Sequence, residues 1–264
     1  MSTPPASDLD RRVAELLQAA RRRREQGRET IAAIVRHQPD AIVRAYSRVR
    51  FMILRQSFLD AIGQYFPERG EILDLGCGFG LFSLYYASMG PERRITGVDL
   101  DARRIEMARR CAAALGVTNA TYIAEDVLRW RDERTFDAIY MLDLVHHLPM
   151  ADVAGTLERI ASRLAPGGTL IIKDVADKPT YKMLFTLALD RLMVGFEPIR
   201  YWPVLELSSL LRALGFDVRV HPIRDVLPYP HVLYVCRRGS DRAQGRFPTG
   251  AIASRPPSSM SGGP

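Results

Sequence analysis

The stretch EILDLGCGFGLF, residues 71–82, runs from apolar residues into Asp74 and then into glycines at 76, 78 and 80. A short apolar run bounded by turn residues reads as a buried strand. Glycines that end such a strand and open a helix let backbone amides approach a ligand without side-chain interference. A nucleotide-like ligand is the usual occupant of such a loop. The nicotinamide fingerprint G-x-G-x-x-G asks for glycine at position 81, where this chain has Leu81. The next predicted strand ends in VDLD, and its Asp99 stands about 20 residues beyond the glycines, where an acid accepts hydrogen bonds from ribose hydroxyls.

Outward from this loop, strands are predicted at 71–75, 94–98, 121–125, 137–142 and 169–174, with helices at 80–89, 102–115 and 150–164 between them. Such alternation predicts an α/β fold, a parallel sheet with helices on both faces, whose ligands bind at the carboxyl ends of the strands. That rule directs attention to Asp74, Asp99, Asp126 and Asp143. After the fifth strand comes an apolar insert at about 179–201, then a helix at 203–214 closed by Gly215. The runs FDVRVHPI (216–223) and HVLYVCRR (231–238) lie a short loop apart and are predicted to pair antiparallel. Residues 239–264 turn to Gly, Ser, Pro and Arg without an apolar period and read as a disordered basic tail.

Residues 1–66 read as a helical extension ahead of a domain covering 67–238. Leu9, Val13, Leu16, Leu17 and Ala20 form one amphipathic stripe, with Arg21–Arg24 near the helix end where the dipole favours cations. Gly27 is expected to interrupt this helix. A second helix is expected over 28–38, up to Pro39, and a third from Asp40 as N-cap to Phe66, ahead of Pro67.

The chain of 264 residues has a net charge of +7, and the position of that charge matters more than its size. Residues 11–50 hold eleven arginines against four acids, and residues 237–264 hold five against one, so the centre is slightly acidic. A duplex-binding groove would spread its arginines over the ligand face, so nucleic acid is a disfavoured partner. Solvated arginine-rich helix faces account for the pattern, and a basic surface that meets anionic headgroups also fits it. Cys77, Cys111 and Cys236 are odd in number and far apart, which excludes a disulfide framework or zinc knuckle and suits a reducing cytoplasm. The N-terminus carries no secretory pattern, and Asp190 and Arg191 interrupt the most apolar segment, 183–196, which argues against a membrane span.

Five stretches in order and register resemble the class I S-adenosylmethionine-dependent methyltransferases. They are ILDLGCGFG, VDLD, AEDVL, FDAIYMLDLVHHL and LAPGGTLIIKD, covering with the terminal hairpin roughly residues 70–236. The resemblance implies a Rossmann-like seven-stranded sheet of order 3-2-1-4-5-7-6 with strand seven antiparallel, and S-adenosyl-L-methionine as cofactor. It implies that Asp74 and the loop of Gly76, Cys77, Gly78 and Gly80 lie around the methionine part of the cofactor. Asp99 would take the ribose, Leu100 would lie against adenine, Asp126 and Val127 would meet the adenine amino edge, and Leu142 or Asp143 would flank the sulfonium. No metal is implied.

Methyl transfer from a sulfonium is an in-line displacement governed by alignment and exclusion of water. An acceptor hydroxyl or ammonium must still lose its proton, and His146 and His147, just beyond the fourth strand, suit that task near neutral pH. With Asp143 they are the candidate catalytic residues; packing or loop-ordering is the other reading of the histidine pair. Tyr181, Arg191, Arg200, Tyr201 and Trp202, in or beside the apolar insert, and His231 at the start of the last strand, are candidates for the acceptor pocket. The insert reads either as a lid for a small or lipid-like acceptor or as an ordinary core helix pair.

The cofactor half is similar to that of ubiquinone and menaquinone methyltransferases, which says little about the acceptor. Oxygen is slightly preferred over carbon or nitrogen as the acceptor atom. An anionic membrane surface or an acyl carrier protein that delivers the acceptor are the expected partners. The rivals are a nicotinamide oxidoreductase, a non-catalytic scaffold acting through the basic helices, and RNA or protein methylation. The absence of an NPPY-type sequence after strand four disfavours methylation of nucleic-acid bases.

Overall fold

The computed structural model describes residues 8–175, 201–223 and 231–238. Helices α1 (Asp8–His37), α2 (Ala41–Ile53) and α3 (Gln56–Gly63) lead into β1 (Gly70–Leu75), α4 (Leu81–Met89), β2 (Arg93–Asp99), α5 (Ala102–Leu115) and β3 (Ala120–Ala124). Then follow β4 (Phe136–Leu142), a single 3-10 turn (Val145–His147), α6 (Met150–Ser162), β5 (Leu164–Val175), α7 (Val204–Ala213), β6 (Phe216–Ile223) and β7 (His231–Arg238). The seven strands run in the order β3-β2-β1-β4-β5-β7-β6. β7 pairs antiparallel with both β5 and β6, as the sequence predicts. The central strands read as continuous apolar runs because both faces are covered. Ile72, Leu73, Val98, Ile139, Ile171 and Leu233 are all fully or almost fully buried.

The chain divides into two compact units, Met1–Gly63 with Pro67–Arg131 and Gln64–Phe66 with Asp132–Pro264. In the first, β1, β2 and β3 pair in parallel, Leu73 opposite Thr96 and Val98 opposite Ile123. In the second, β4 pairs in parallel with β5, so that Leu142 stands opposite Lys173.

The N-terminal helices correct two expectations. α1 continues through Gly27, because that glycine is a contact point and not a breaker: a Cβ there would stand 2.1 Å from Gln56 Nε2 and 3.0 Å from the Tyr85 hydroxyl. The Gln56 amide that fills the space donates to the Arg24 carbonyl at 3.0 Å. The expected third helix, 40–66, is two helices, broken at Leu54 with φ −97 and ψ 80. Leu54 is no breaker by type; it is 1% exposed, and burying its side chain fixes the bend. The expected N-cap holds, with Asp40 Oδ1 accepting from the amides of Ile42 at 2.7 Å and Val43 at 3.2 Å.

The predicted stripe on α1 exists, but Leu9, Val13, Leu16 and Leu17 are exposed in this chain. Further along, Ile34 is fully buried and its carbonyl accepts from the Cys111 thiol of α5. Among the described residues no helix is long and apolar enough to cross a membrane. The tail 239–264 lies outside the described residues.

Candidate functional site

In the first unit the chain leaves β1 through Gly76, Gly78 and Gly80, all with positive φ. The left-handed backbone makes glycine the favoured residue at each, but the reasons for its lack of a side chain differ. At Gly80 a Cβ would meet the Tyr122 ring and Ala108 at 2.8–2.9 Å, so this glycine lets α4 seat against the sheet. At Gly78 a Cβ would meet nothing within 4 Å. Gly78 therefore opens a cradle over the loop.

The acid expected opposite the glycines is there. Asp99 is 8% exposed; its Oδ2 accepts from the Gly78 amide at 2.8 Å and its Oδ1 from the Asp101 amide at 3.0 Å. An ionised carboxylate has about four lone-pair sites, so Asp99 both clamps the loop and keeps acceptor capacity for hydroxyl groups. Leu100, beside it, is an exposed apolar residue at 71%, the surface that a flat apolar ring would cover. The open cradle, the acid and the exposed leucine fit an adenosyl group.

The other expected cofactor residues take more structural positions. Asp74 is 3% exposed and its Oδ2 accepts from the Ser83 hydroxyl at 2.6 Å, which ties β1 to the first turn of α4. Asp126 Oδ1 accepts from the Leu128 amide at 2.9 Å, capping the turn after β3, and Val127 is buried. Cys77 is buried, and burial together with the neighbouring Asp74 and Asp99 charges holds its thiol well above the ordinary range. A neutral thiol is a packing group and not a nucleophile.

In the second unit a polar cluster stands at the carboxyl ends of β4 and β5, beside the buried Leu142. Asp143 holds φ at 61°, the non-glycine residue found in that region among the described residues, and its amide donates to the Lys173 carbonyl at 2.9 Å. The Lys173 ammonium, 1% exposed, donates to Asp143 Oδ1. The next residue of β5, Asp174, receives His146: Nδ1 bonds Oδ1, and the His146 amide donates to Oδ2 at 3.1 Å. The Val175 amide also donates to Asp174 Oδ1, at 2.8 Å. His146 is 2% exposed, its ring 4.1 Å from that of His147 and 5.7 Å from that of Tyr201, centroid to centroid.

This cluster has two chemical consequences. A proton on Nδ1 shared with a carboxylate fixes the His146 tautomer and makes Nε2 the basic nitrogen. Asp143, one of the candidate catalytic residues, is the counter-charge of a buried lysine and shapes the turn after β4. Asp143, His146 and Asp174 also offer ligand atoms within 4.8 Å of one another. The Lys173 ammonium occupies the Asp143 carboxylate and the imidazole occupies Asp174, so the set reads as two dyads, one an ion pair and one a hydrogen-bonded histidine and carboxylate.

Of the predicted site residues, the structure thus brings together Gly78 and Asp99 in the first unit, and Asp143, His146, His147 and Tyr201 in the second. Trp202 is half-buried, and His231, 4% exposed, stands opposite Val175 in the β5–β7 ladder. Tyr181, Arg191 and Arg200, with the insert that carries them, lie outside the described residues apart from its end at Tyr201. Lys173 and Asp174 were missed among the candidates. Their signal is a charged pair closing the apolar run TLII, at the strand end where α/β sheets place function.

Comparison with known proteins finds methyltransferases with the same fold. Residues 72–168 match a family model described as a methyltransferase domain. A ubiquinone biosynthesis O-methyltransferase of Alkalilimnicola ehrlichii is 32% identical over 127 residues, covering 48% of this chain and 50% of the relative. A trans-aconitate 2-methyltransferase of Methylobacterium radiotolerans is 32% identical over 118 residues, 44% of this chain and 43% of the relative. The chain thus spans half or less of the length of these curated relatives. A solved O-methyltransferase family protein from Burkholderia thailandensis superposes with a TM-score of 0.61 at 19% identity, over 77% of this chain and 61% of that one. The family match opens inside β1 and closes in β5, taking in the glycine loop, Asp99 and His146; residues 72–168 are similar to a methyltransferase domain, and the seven-stranded sheet has the Rossmann-like fold of the solved methyltransferase structures.

Proposed function

We propose that this chain binds S-adenosyl-L-methionine and transfers its methyl group to a small or lipid-like acceptor, with oxygen the preferred acceptor atom. The observation that carries the reading is the open cradle at Gly78 facing the Asp99 carboxylate, with exposed Leu100 beside it. When bound, the cofactor supplies an electrophilic methyl on a sulfonium whose leaving thioether is neutral. Asp99 accepts from the ribose hydroxyls, Leu100 covers adenine, and the loop amides hold the methionine part. His146, its Nδ1 proton held by Asp174, takes the acceptor's proton at Nε2. Tyr201 supports this assignment as a polar-tipped ring beside the imidazole. The O-methyltransferase relatives support oxygen, and the spread of their named substrates leaves the acceptor to experiment.

Titration calorimetry with S-adenosylmethionine and with NAD tests the cofactor. One-to-one binding of the first, weakened at least tenfold by Asp99→Ala, is expected; binding of NAD alone would overturn the reading. Turnover of methyl-labelled cofactor against a lipid extract separates an enzyme from a scaffold.

An anionic membrane surface is the proposed partner of α1, on the observation that Leu9, Val13, Leu16 and Leu17 are exposed on a helix that also carries Arg11, Arg12 and Arg21–Arg24. Deletion of residues 1–24 should reduce binding to anionic vesicles while leaving cofactor binding intact; unchanged vesicle binding refutes it.

A further inference from the structure

Away from the glycine loop, the N-terminal helices of the first unit enclose a groove of about 760 Å³. It runs between α1 and α2 and ends at Gln56, the first residue of α3. That volume lies within the roughly 300–1,000 Å³ of sites that hold one small molecule. Its floor is apolar: Val35 and Phe51 are buried and Ile31 is half-buried. Its rim carries Arg28, Arg36, Arg44 and Arg48.

Among the described residues no acid lines the groove. Arg44 is held in place by the hydrogen bond from its Nη1 to the Gln38 carbonyl, 2.9 Å long. Among the described residues Arg28, Arg36 and Arg48 form no ion pair, whereas elsewhere Arg94, Arg134 and Arg163 each meet a carboxylate. Four guanidinium groups around one apolar trough give it a positive rim that complements an anion. Guanidinium groups bind phosphate oxygens in paired hydrogen bonds, and several of them suit a dianion better than a monoanion. Buried apolar residues beneath them have no use for a free inorganic ion, but they do cover an alkyl chain.

We propose that this groove binds a single-chain lipid phosphate, a monoalkyl phosphate ester whose head lies among Arg36, Arg44 and Arg48 and whose chain lies over Ile31, Val35 and Phe51. The site goes beyond the methyl-transfer reading, since no residue of the glycine loop or of a strand end lines it. α2 nevertheless links the two places: Arg44, Arg48 and Phe51 face the groove, and Tyr46 of the same helix packs edge-on against Phe79 of the loop at 5.3 Å.

The test uses the full chain and titration calorimetry with dodecyl phosphate below its micelle concentration, inorganic phosphate for the head alone, and dodecyl maltoside for the chain alone. One-to-one binding of dodecyl phosphate is expected, at least tenfold tighter than either control. The paired exposed substitutions Arg36→Glu and Arg48→Glu should weaken it at least tenfold, and Met52→Asp, on the exposed apolar lip, should weaken it without touching the head. Retained binding of S-adenosylmethionine by both variants shows that they are folded. Unchanged affinity in the arginine variant overturns the proposal, and so does equal binding of inorganic phosphate or of the maltoside. Binding to anionic vesicles with none to monomeric dodecyl phosphate also overturns it, in favour of a bilayer surface.

Discussion

At the scale of single residues the informative pairs are His146 with Asp174 and Asp143 with Lys173. Asp174 accepts from the His146 ring, the His146 amide and the Val175 amide, so it is fixed as an acceptor and fixes the imidazole in turn. His146→Ala should lower the single-turnover rate of methyl transfer by roughly 10²–10⁴, the range of general-base catalysis, with cofactor affinity retained. Asp174 is a positioning residue: Asp174→Asn should slow the same step and move the acid limb of its pH–rate profile downwards, as a less basic imidazole requires. Full rates in both variants would leave the pair a structural clamp. Asp143→Asn leaves the buried Lys173 ammonium without its counter-charge and should cost about 3–5 kcal/mol in urea unfolding. Combining it with Lys173→Met should recover most of that loss. The sequence marked His146 and Asp143 as candidates but not their partners. Those stand 28 and 30 residues further along, and no local pattern encodes a pairing made only when β4 and β5 align.

At the scale of elements the strands and the helices between them were legible because each is a short apolar run or amphipathic stripe closed by its own punctuation. Asp101 caps α5 by accepting from the amides of Arg103 and Arg104, and Gly116 ends that helix in the left-handed region. The N-terminal helices were not legible in the same way. Gly27 costs about 0.5–1 kcal/mol of intrinsic helix preference relative to alanine, and packing overrides it. Gly27→Val should therefore destabilise the protein by about 1–3 kcal/mol through overpacking against Gln56 and Tyr85, measured as a lower urea midpoint. A gain in stability would show that the glycine is only a weak spot in the helix. Asp40→Ala should cost about 1 kcal/mol, since it strips the two amide contacts that start α2.

At the scale of the whole molecule the three cysteines report on the integrity of the core. All are buried. Burial raises the Cys111 thiol from the ordinary 9.0 to about 11, and burial with the Asp74 and Asp99 charges raises Cys77 as well. The sign of the pH effect follows from these shifts. Folding favours the neutral thiols, so their contribution is full below pH 9.0 and is lost as the pH rises towards about 11 for Cys111. Unfolding free energy should fall across that window, and a Cys111→Ala variant should show a shallower fall. In native protein at pH 8 an aromatic disulfide reagent should react slowly with all three thiols and rapidly with all three in denaturant. A fast native thiol would place a cysteine at a reactive surface.

What the sequence determined by itself is whatever short-range chemistry encodes. The glycine loop, Asp99 at the end of the next strand, the alternation of strands and helices, and the antiparallel final hairpin each rest on residues within one element or one turn. Only the tertiary structure decided that Gly27 is a contact rather than a break, that Asp143 answers Lys173, that Asp174 holds His146, and that four arginines ring one apolar groove. These are contacts between side chains tens of residues apart. Burial sets their energies by stripping water from groups that the unfolded chain leaves solvated, and burial is a property of the packed molecule, not of any segment.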